Sequence, residues 1–325
     1  MAYSADVVRR ARTRLESMKA DRESLQESRL QEIYEKLPRV REIDKALRSS
    51  MVLAVQASFV KGEDGAAALA QVRQANLALQ EERKSLIAAA FPAEYLDDSP
   101  ICPLCGGAGY IGSAMCRCLT DLCRQEQKKE LALLTCGEHS FADFRLEFYS
   151  PEKAPNQVAS PRAIMTRTLE VCRKYAENFN KESGNLLFNG STGLGKTLLS
   201  ACIACCVAEQ GYSVAYESAP HLFGKLEKNR FHPDEDSAQA VAKLENCDLL
   251  IIDDLGTELP GQFVIASLYA LLNDRLLAGK PMVISTNLNI SEIKERYSPQ
   301  IASRLQGQFQ LLPFVGQDIR ILKNR

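Results

Sequence analysis

A chain of 325 residues with 46% apolar and 25% charged side chains has the composition of a soluble globular protein and length for about two domains. Its formal net charge of −1 excludes a polycation, so nucleic acid would have to meet a local basic patch. No apolar run is long enough to span a bilayer, the first 23 residues lack the apolar core of a signal peptide, and eleven cysteines are present; the expectation is no membrane contact and a reducing, cytoplasmic setting in which thiols stay free or bind metal.

Residues 1–100 read as a helical domain. Val8, Ala11, Leu15 and Met18, then Leu30, Ile33, Tyr34 and Leu37, recur at helical spacing up to Pro38. Val40, Ile43, Leu47, Met51 and Ala54 predict a second helix, residues 61–65 (KGEDG) a turn, and Leu69, Val72, Leu79 and Leu86 a third helix that stops before Pro92. Three such helices can form a small antiparallel bundle. It is either a bundle with a solvated charged face or a partner-docking module, and periodicity does not separate the two.

Residues 101–139 form a cysteine-rich segment with a connecting helix, Leu119 to Leu134. Cys102 and Cys105 have zinc-knuckle spacing, and the glycines behind them allow the turn that aims both sulfurs at one point. Cys116 and Cys118 share a face if that stretch is extended. Four thiolates in tetrahedral array favour Zn²⁺, with Cys123, Cys136 and His139 open as replacement ligands. The aromatic run Phe141, Phe144, Leu146, Phe148 and Tyr149 is expected to pack onto the next domain, and Ala163 to Phe179 to form a helix entering it.

Residues 140–325 are organised by one stretch. Asn185 to Asn189 reads as a buried strand, and Leu198 to Ala208 as a helix. Between them lie Gly190, Ser191, Thr192, Gly193, Leu194, Gly195, Lys196 and Thr197, a phosphate-binding loop that continues into Leu198. The glycines let successive N–H groups point at phosphate oxygens, and the helix N-terminus adds partial positive charge. Lys196 can reach the β- and γ-phosphates, and the Thr197 hydroxyl can ligate Mg²⁺.

Gly211 to Tyr216 reads as a strand, followed by a helix carrying Lys225, Lys228 and Arg230 beside Phe223, Phe231 and His232. Basic and aromatic groups together can hold single-stranded nucleic acid; a solvated helix face is the alternative. The apolar run from Asp248 ends in Asp253 and Asp254, as a central parallel strand does where it meets a ligand crevice. Asp253 is the candidate for the Mg²⁺ shell, and Asp254 for orienting or deprotonating the attacking water. A strand from Lys280 ends at Asn287, placed to position water. Arg304 follows the Pro299 turn on a short helix, where it can reach a neighbouring subunit's nucleotide. Arg320 is expected on a terminal strand within residues 316–320 and is a weaker candidate for phosphate.

In this order, GSTGLGKT, LLIIDDLGTE, VISTN, IASRL and GQDIR resemble the AAA+ ATPases of the DnaC/DnaI helicase-loader and IstB transposition-helper group, over about residues 140–325. The resemblance implies an α/β fold: an AAA+ P-loop parallel sheet flanked by helices, lacking a large lid, with an N-terminal helical domain and a small zinc-binding segment. It implies ATP and Mg²⁺ at the loop, Asp253 and Asp254 as the acidic pair, Asn287 as first sensor and Arg304 as trans-acting finger. Only 38 residues follow Asn287 (325 − 287), which leaves Arg320 without a lid. The front end resembles the helicase-binding and zinc-binding part of loaders from Gram-positive bacteria and their phages. The expected function is therefore an ATPase delivering a DnaB-type hexameric replicative helicase onto single-stranded DNA, with self-association through the ATPase domain. Its alternatives are a transposition helper, a nucleotide-gated DNA adaptor with little turnover and, least favoured, a small-molecule kinase.

Overall fold

The computed structural model describes residues 3–58, 63–92, 94–97, 99–134, 139–153 and 159–323. The chain forms two compact units, Thr13–Cys116, and Met1–Arg12 together with Arg117–Arg325.

The first unit is built on three helices, α1 (Ala5–Lys36, of which the part from Thr13 onward lies in this unit), α2 (Pro38–Ser58) and α3 (Glu63–Ala90). Pro38 ends one helix and opens the next, because a residue without an N–H suits the first helical position. Ile33, Val40 and Phe91 form the buried centre, with Tyr34, Leu37, Leu86, Ile87, Tyr95 and Leu96 packed around them. Asp44 of α2 ties the other two helices together: it accepts from Tyr34 Oη (2.9 Å) and from Arg83 Nε (2.7 Å). Two expectations shift. The buried stripe at the start of α1 is Val7, Ala11 and Leu15, while Met18 is 44% exposed. Gly65 lies inside α3 rather than in a turn; Lys61 and Gly62 fall outside the described residues. A two-residue hairpin, β1 (Tyr110–Ile111) against β2 (Ala114–Met115), closes this unit.

In the second unit α4 (Arg117–Leu134) is followed by two short 3-10 turns, Phe141–Asp143 and Leu146–Phe148. Next comes α5 (Pro161–Glu177), whose N-cap Ser160 accepts from Ala163 N–H. Then β3 (Asn185–Asn189), α6 (Lys196–Glu209), β4 (Val214–Ser218), α7 (Ala219–Phe231), α8 (Glu235–Asn246), β5 (Leu249–Leu255), α9 (Gln262–Leu277), β6 (Met282–Thr286), α10 (Ile290–Arg296), α11 (Pro299–Gln308), β7 (Phe309–Pro313) and α12 (Ile319–Lys323) complete the chain. The strands make one parallel sheet in the order β4-β5-β6-β3-β7.

Strand alternation assigns the faces. Leu186, Phe188, Leu249, Ile251 and Val283 point into one cluster with Leu169, Cys172, Leu199 and Ile203 of α5 and α6. Leu187, Leu250, Ile252, Met282 and Ile284 point into the other, with Leu268 and Leu272 of α9 and Leu305 of α11. Burial on both faces explains why these strands read as continuous apolar runs rather than alternating ones. Residues 316–320 are not a terminal strand: β7 is the last strand, and Arg320 sits on the short helix α12. Pro313 cannot donate to a ladder, and the extended run stops there.

Arg275 of α9 is 1% exposed. Its guanidinium donates to the carbonyls of Leu244 (2.9 Å), Cys247 (3.2 Å) and Pro281 (2.9 Å), capping the end of α8 and the entry to β6. An Arg275→Met substitution leaves these buried acceptors unpaired and should lower unfolding free energy by about 3 kcal/mol. Lysine should recover little of it, because an ammonium cannot span the same fork. Urea denaturation of the three proteins measures the difference.

Candidate functional site

The phosphate-binding loop leaves the central strand β3 and enters α6. Tertiary contacts, besides local glycine freedom, fix its course. A Cβ on Gly190 would lie 2.2 Å from the Phe314 carbonyl oxygen, and one on Gly193 would lie 1.9 Å from Asp318 Oδ1. Gly193 also has φ of 72°, a conformation that glycine adopts without steric cost. Phe314 N–H donates to Asn189 O (2.7 Å) and Ile319 N–H to Gly193 O (3.0 Å). Residues 314–319 therefore run along the loop. The aromatic segment supports it from the other side, as expected: Phe144 and Tyr149 stack at 5.6 Å, both are buried, and Tyr149 Oη donates to Leu194 O at 2.9 Å.

Lys196 is buried, and its Nζ donates to Gly190 O (2.7 Å) and Ser191 O (2.8 Å) across the loop. Burial pushes its pKa down; the charges of Asp254 and Asp253 push it back up, and Arg320 adds to the depression. Asp253 is buried on β5, on the α6 face. Its Oδ2 accepts from Tyr216 Oη (2.8 Å) and its Oδ1 from Ser285 Oγ. The next residue turns out of the strand: Asp254 has φ of 55°, and the β5–β6 register shifts between Ile252 and Leu255. Asp254 is exposed, and its charge acts on Lys196. Partial burial and the Asp253 charge raise its pKa, against Lys196 and Arg320. Asn287 faces solvent just beyond β6, with its Oδ1 3.4 Å from where a Gly256 Cβ would stand. Gly190 N–H donates to Thr286 O (3.3 Å), which joins the loop to the strand carrying Asn287.

The structure thus gathers the loop, Asp253, Asp254, Asn287 and Arg320 at the C-terminal edge of the sheet, where open α/β folds bind ligands. Glycine-lined amides, a buried lysine and two carboxylates fit a nucleoside triphosphate with a divalent cation. Arg304 is not part of this group. It is held by Tyr269 Oη (2.9 Å) and Asn273 Oδ1 (2.8 Å) of α9, 4.4 Å above the Tyr269 ring.

The basic helix is less open than its sequence suggests. Phe223 is in the core, Lys225 pairs with the buried carboxylate of Glu217, and Lys228 pairs with Asp234 at 2.7 Å. Arg230, Phe231 and His232 remain exposed, with Phe231 5.6 Å from Phe263.

The sulfurs of Cys102, Cys105, Cys116 and Cys118 all lie within 4.8 Å of one another, and Cys102 and Cys116 are 3.7 Å apart. A tetrahedral zinc site with bonds of about 2.3 Å has sulfur–sulfur edges of about 3.8 Å, so the donor set fits Zn²⁺. Turn hydrogen bonds shape it: Gly106 N–H to Cys102 O (2.8 Å) and Gly109 N–H to Cys105 Sγ (3.3 Å). The Cys-X-Cys half is not extended: Cys118 lies in the first turn of α4, where the helix dipole favours a thiolate. Cys123 and His139 stand outside the cluster. Burial pushes the Cys123 thiol up to about 11. Cys136 lies outside the described residues.

Sequence reasoning missed Tyr216, Ser285 and Asp318. Tyr216 and Ser285 fall within the predicted strands, but their partnership depends on register between strands far apart in the chain. Residues 162–305 match the family described as IstB-like ATP binding protein. The Escherichia coli K12 replicative helicase loader DnaC is 23% identical over 138 residues, 42% of this chain and 56% of that protein. An insertion-sequence ATP-binding protein of Pseudomonas fluorescens is 32% identical over 108 residues, 33% of this chain and 45% of that protein. Among solved structures, the DnaC helicase loader superposes with a TM-score of 0.45 at 21% identity, covering 54% of this chain and 98% of that one. DnaI gives 0.44 at 18%, covering 58% and 92%. The chain spans about half the length of the curated relatives it matches.

A Gly193→Ala substitution should push Asp318 off the loop. The Ile319 amide, now bonded to Gly193 O, should then exchange with solvent at least about tenfold faster, as local opening frees it. Hydrogen–deuterium exchange of the C-terminal peptide reads this directly.

Proposed function

We infer that this chain carries an AAA+ domain of the IstB-like, DnaC/DnaI type and is an ATP-dependent loader delivering a DnaB-type hexameric helicase onto single-stranded DNA. The observation that carries the loader reading is the helical unit and four-thiol cluster ahead of the nucleotide domain, a front end that transposition helpers of similar ATPase sequence usually lack.

In this reading the amides of Gly190 to Thr197 bind the triphosphate. Lys196 exchanges two carbonyl partners for β- and γ-phosphate oxygens, whose charge favours its protonated form. Thr197 and, through water, Asp253 would hold Mg²⁺, which would supply positive charge beside the phosphates. Asp254 accepts the proton of the attacking water, and Asn287 fixes that water's position. Arg320 approaches the phosphates from the C-terminal segment. Arg304, held by Tyr269 and Asn273 of α9, completes the site of a second copy. DNA meets the face carrying Lys225, Lys228 and Arg230, where Arg230 with Phe231 offers charge and a stacking surface. The four cysteines hold Zn²⁺ as a structural ion, and the protein acts in the cytoplasm.

Three measurements test this. Lys196→Ala should weaken ATP binding at least about tenfold, whereas Asp254→Ala should keep affinity and lower phosphate release about 100-fold or more. Equal release by wild type and Asp254→Ala would favour a nucleotide-gated adaptor with little turnover. Metal analysis of purified protein should find close to one zinc per chain, and under about half an equivalent would remove the zinc site. Finally, the full chain should co-elute with its cognate hexameric helicase. Capture of a transposase instead would favour the second reading, to which the insertion-sequence relative at 32% identity points.

A further inference from the structure

Three side chains on adjacent strands meet beneath the acid pair. Tyr216 on β4, Asp253 on β5 and Ser285 on β6 all point to the α6 face, and each is 5% exposed or less. The Asp253 carboxylate takes a hydroxyl on each oxygen, Tyr216 Oη on Oδ2 at 2.8 Å and Ser285 Oγ on Oδ1. Held from both sides, its plane cannot rotate without breaking a bond, while each oxygen keeps a lone pair for a further donor.

Ser285 does a second thing. A hydroxyl has one proton to donate and two lone pairs to accept with. With its proton given to Asp253, Oγ accepts the Asp254 N–H at 2.9 Å. That N–H has left the ladder: the β5–β6 pairing slips between Ile252 and Leu255, and Asp254 adopts φ of 55°. A non-glycine residue occupies this region only where its surroundings hold it there. Ser285 is 0% exposed, so bulk water cannot substitute for it.

We propose that Ser285 is the positioning residue of the nucleotide site, one hydroxyl that orients Asp253 toward the cation shell and holds the Asp254 turn that presents its carboxylate to the crevice, with Tyr216 as a partner for Asp253 alone. The proposal deepens the ATPase reading and rests on it. It predicts that the two hydroxyls fail differently. Losing Tyr216 Oη loosens Asp253 only. Losing Ser285 Oγ loosens both acids.

The test uses full-length wild type, Tyr216→Phe, Ser285→Ala and Ser285→Thr. Binding of a fluorescent ATP analogue is followed in EDTA and across a Mg²⁺ titration, and phosphate release is followed at saturating Mg²⁺. Affinity in EDTA should stay within about twofold of wild type in all variants, while Mg²⁺ half-saturation rises about tenfold in both Tyr216→Phe and Ser285→Ala. Phosphate release should fall about tenfold or more in Ser285→Ala and stay within about threefold of wild type in Tyr216→Phe and Ser285→Thr. Wild-type Mg²⁺ dependence and turnover in Ser285→Ala would overturn the proposal. So would loss of affinity in EDTA, which marks a packing role. Failure of wild type to bind the analogue would sink the nucleotide reading and this proposal together. Wild type that binds but does not turn over would remove only the ATPase reading, and the Mg²⁺ titration still decides the role of Ser285.

Discussion

The nucleotide unit depends on one constraint: β3 is buried on both faces, and the loop leaving it has no freedom to choose another path. Leu186 and Phe188 fill one side of the sheet and Leu187 the other. Hydrogen bonds to β6 and β7 fix its edges. Burial of three such side chains contributes on the order of 5 kcal/mol, and sliding the strand by one residue would exchange the two faces. Because β3 is fixed, Asn189 offers its carbonyl to Phe314 and Gly190 offers its amide to Thr286. The end of β6 and the C-terminal segment are thereby brought to the loop. Strand register brings the acids and Asn287 to the loop, and the contacts of residues 314–319 with it bring Arg320.

Much of this was legible in the sequence because the sheet is parallel and fully covered. Such strands read as uninterrupted apolar runs, so Asn185–Asn189, the run from Asp248 and the run from Lys280 emerged close to their observed bounds. The glycine pattern located the loop, since its chemistry is local. Helices α8, α9 and α10 did not emerge. In α9 the apolar residues run from Phe263 to Leu272 with one break, at Ser267, so amphipathic spacing gives little signal. The sequence pattern predicts a strand over Gly316 to Arg320, where the chain instead turns into the short helix α12. Its shape is set instead by contacts with the loop, which a sequence pattern does not contain.

The site divides along the same line. Residues that act by type and local spacing, such as Lys196, Thr197, Asp253 and Asp254, announce themselves. Tyr216 and Ser285 do not, because a serine or tyrosine in an apolar strand is equally consistent with many partners. Period-two alternation does place them on the face of Val214 and Val283, and Asp253 on that of Ile251. That they meet follows only from strand order, which sets β5 between β4 and β6. Phe223 shows the reverse case. Aromatic and basic residues together suggested a stacking surface, but helical period turns this ring inward, and the lysines beside it neutralise Glu217 and Asp234.

Arg304 makes the same distinction between being held and being committed. Its partners, Tyr269 and Asn273, are neutral, and it is partly exposed. Two hydrogen bonds from the guanidinium to neutral acceptors and a partly solvated cation–π contact hold it. A phosphate, carrying the opposite charge, can engage the guanidinium through paired bidentate bonds stronger than those to neutral oxygens. The Tyr269 face therefore orients the side chain without sequestering it. A carboxylate at position 269 or 273 would bind it more tightly and oppose its transfer. The absence of an acid at those two positions leaves the guanidinium able to exchange these partners for an anion.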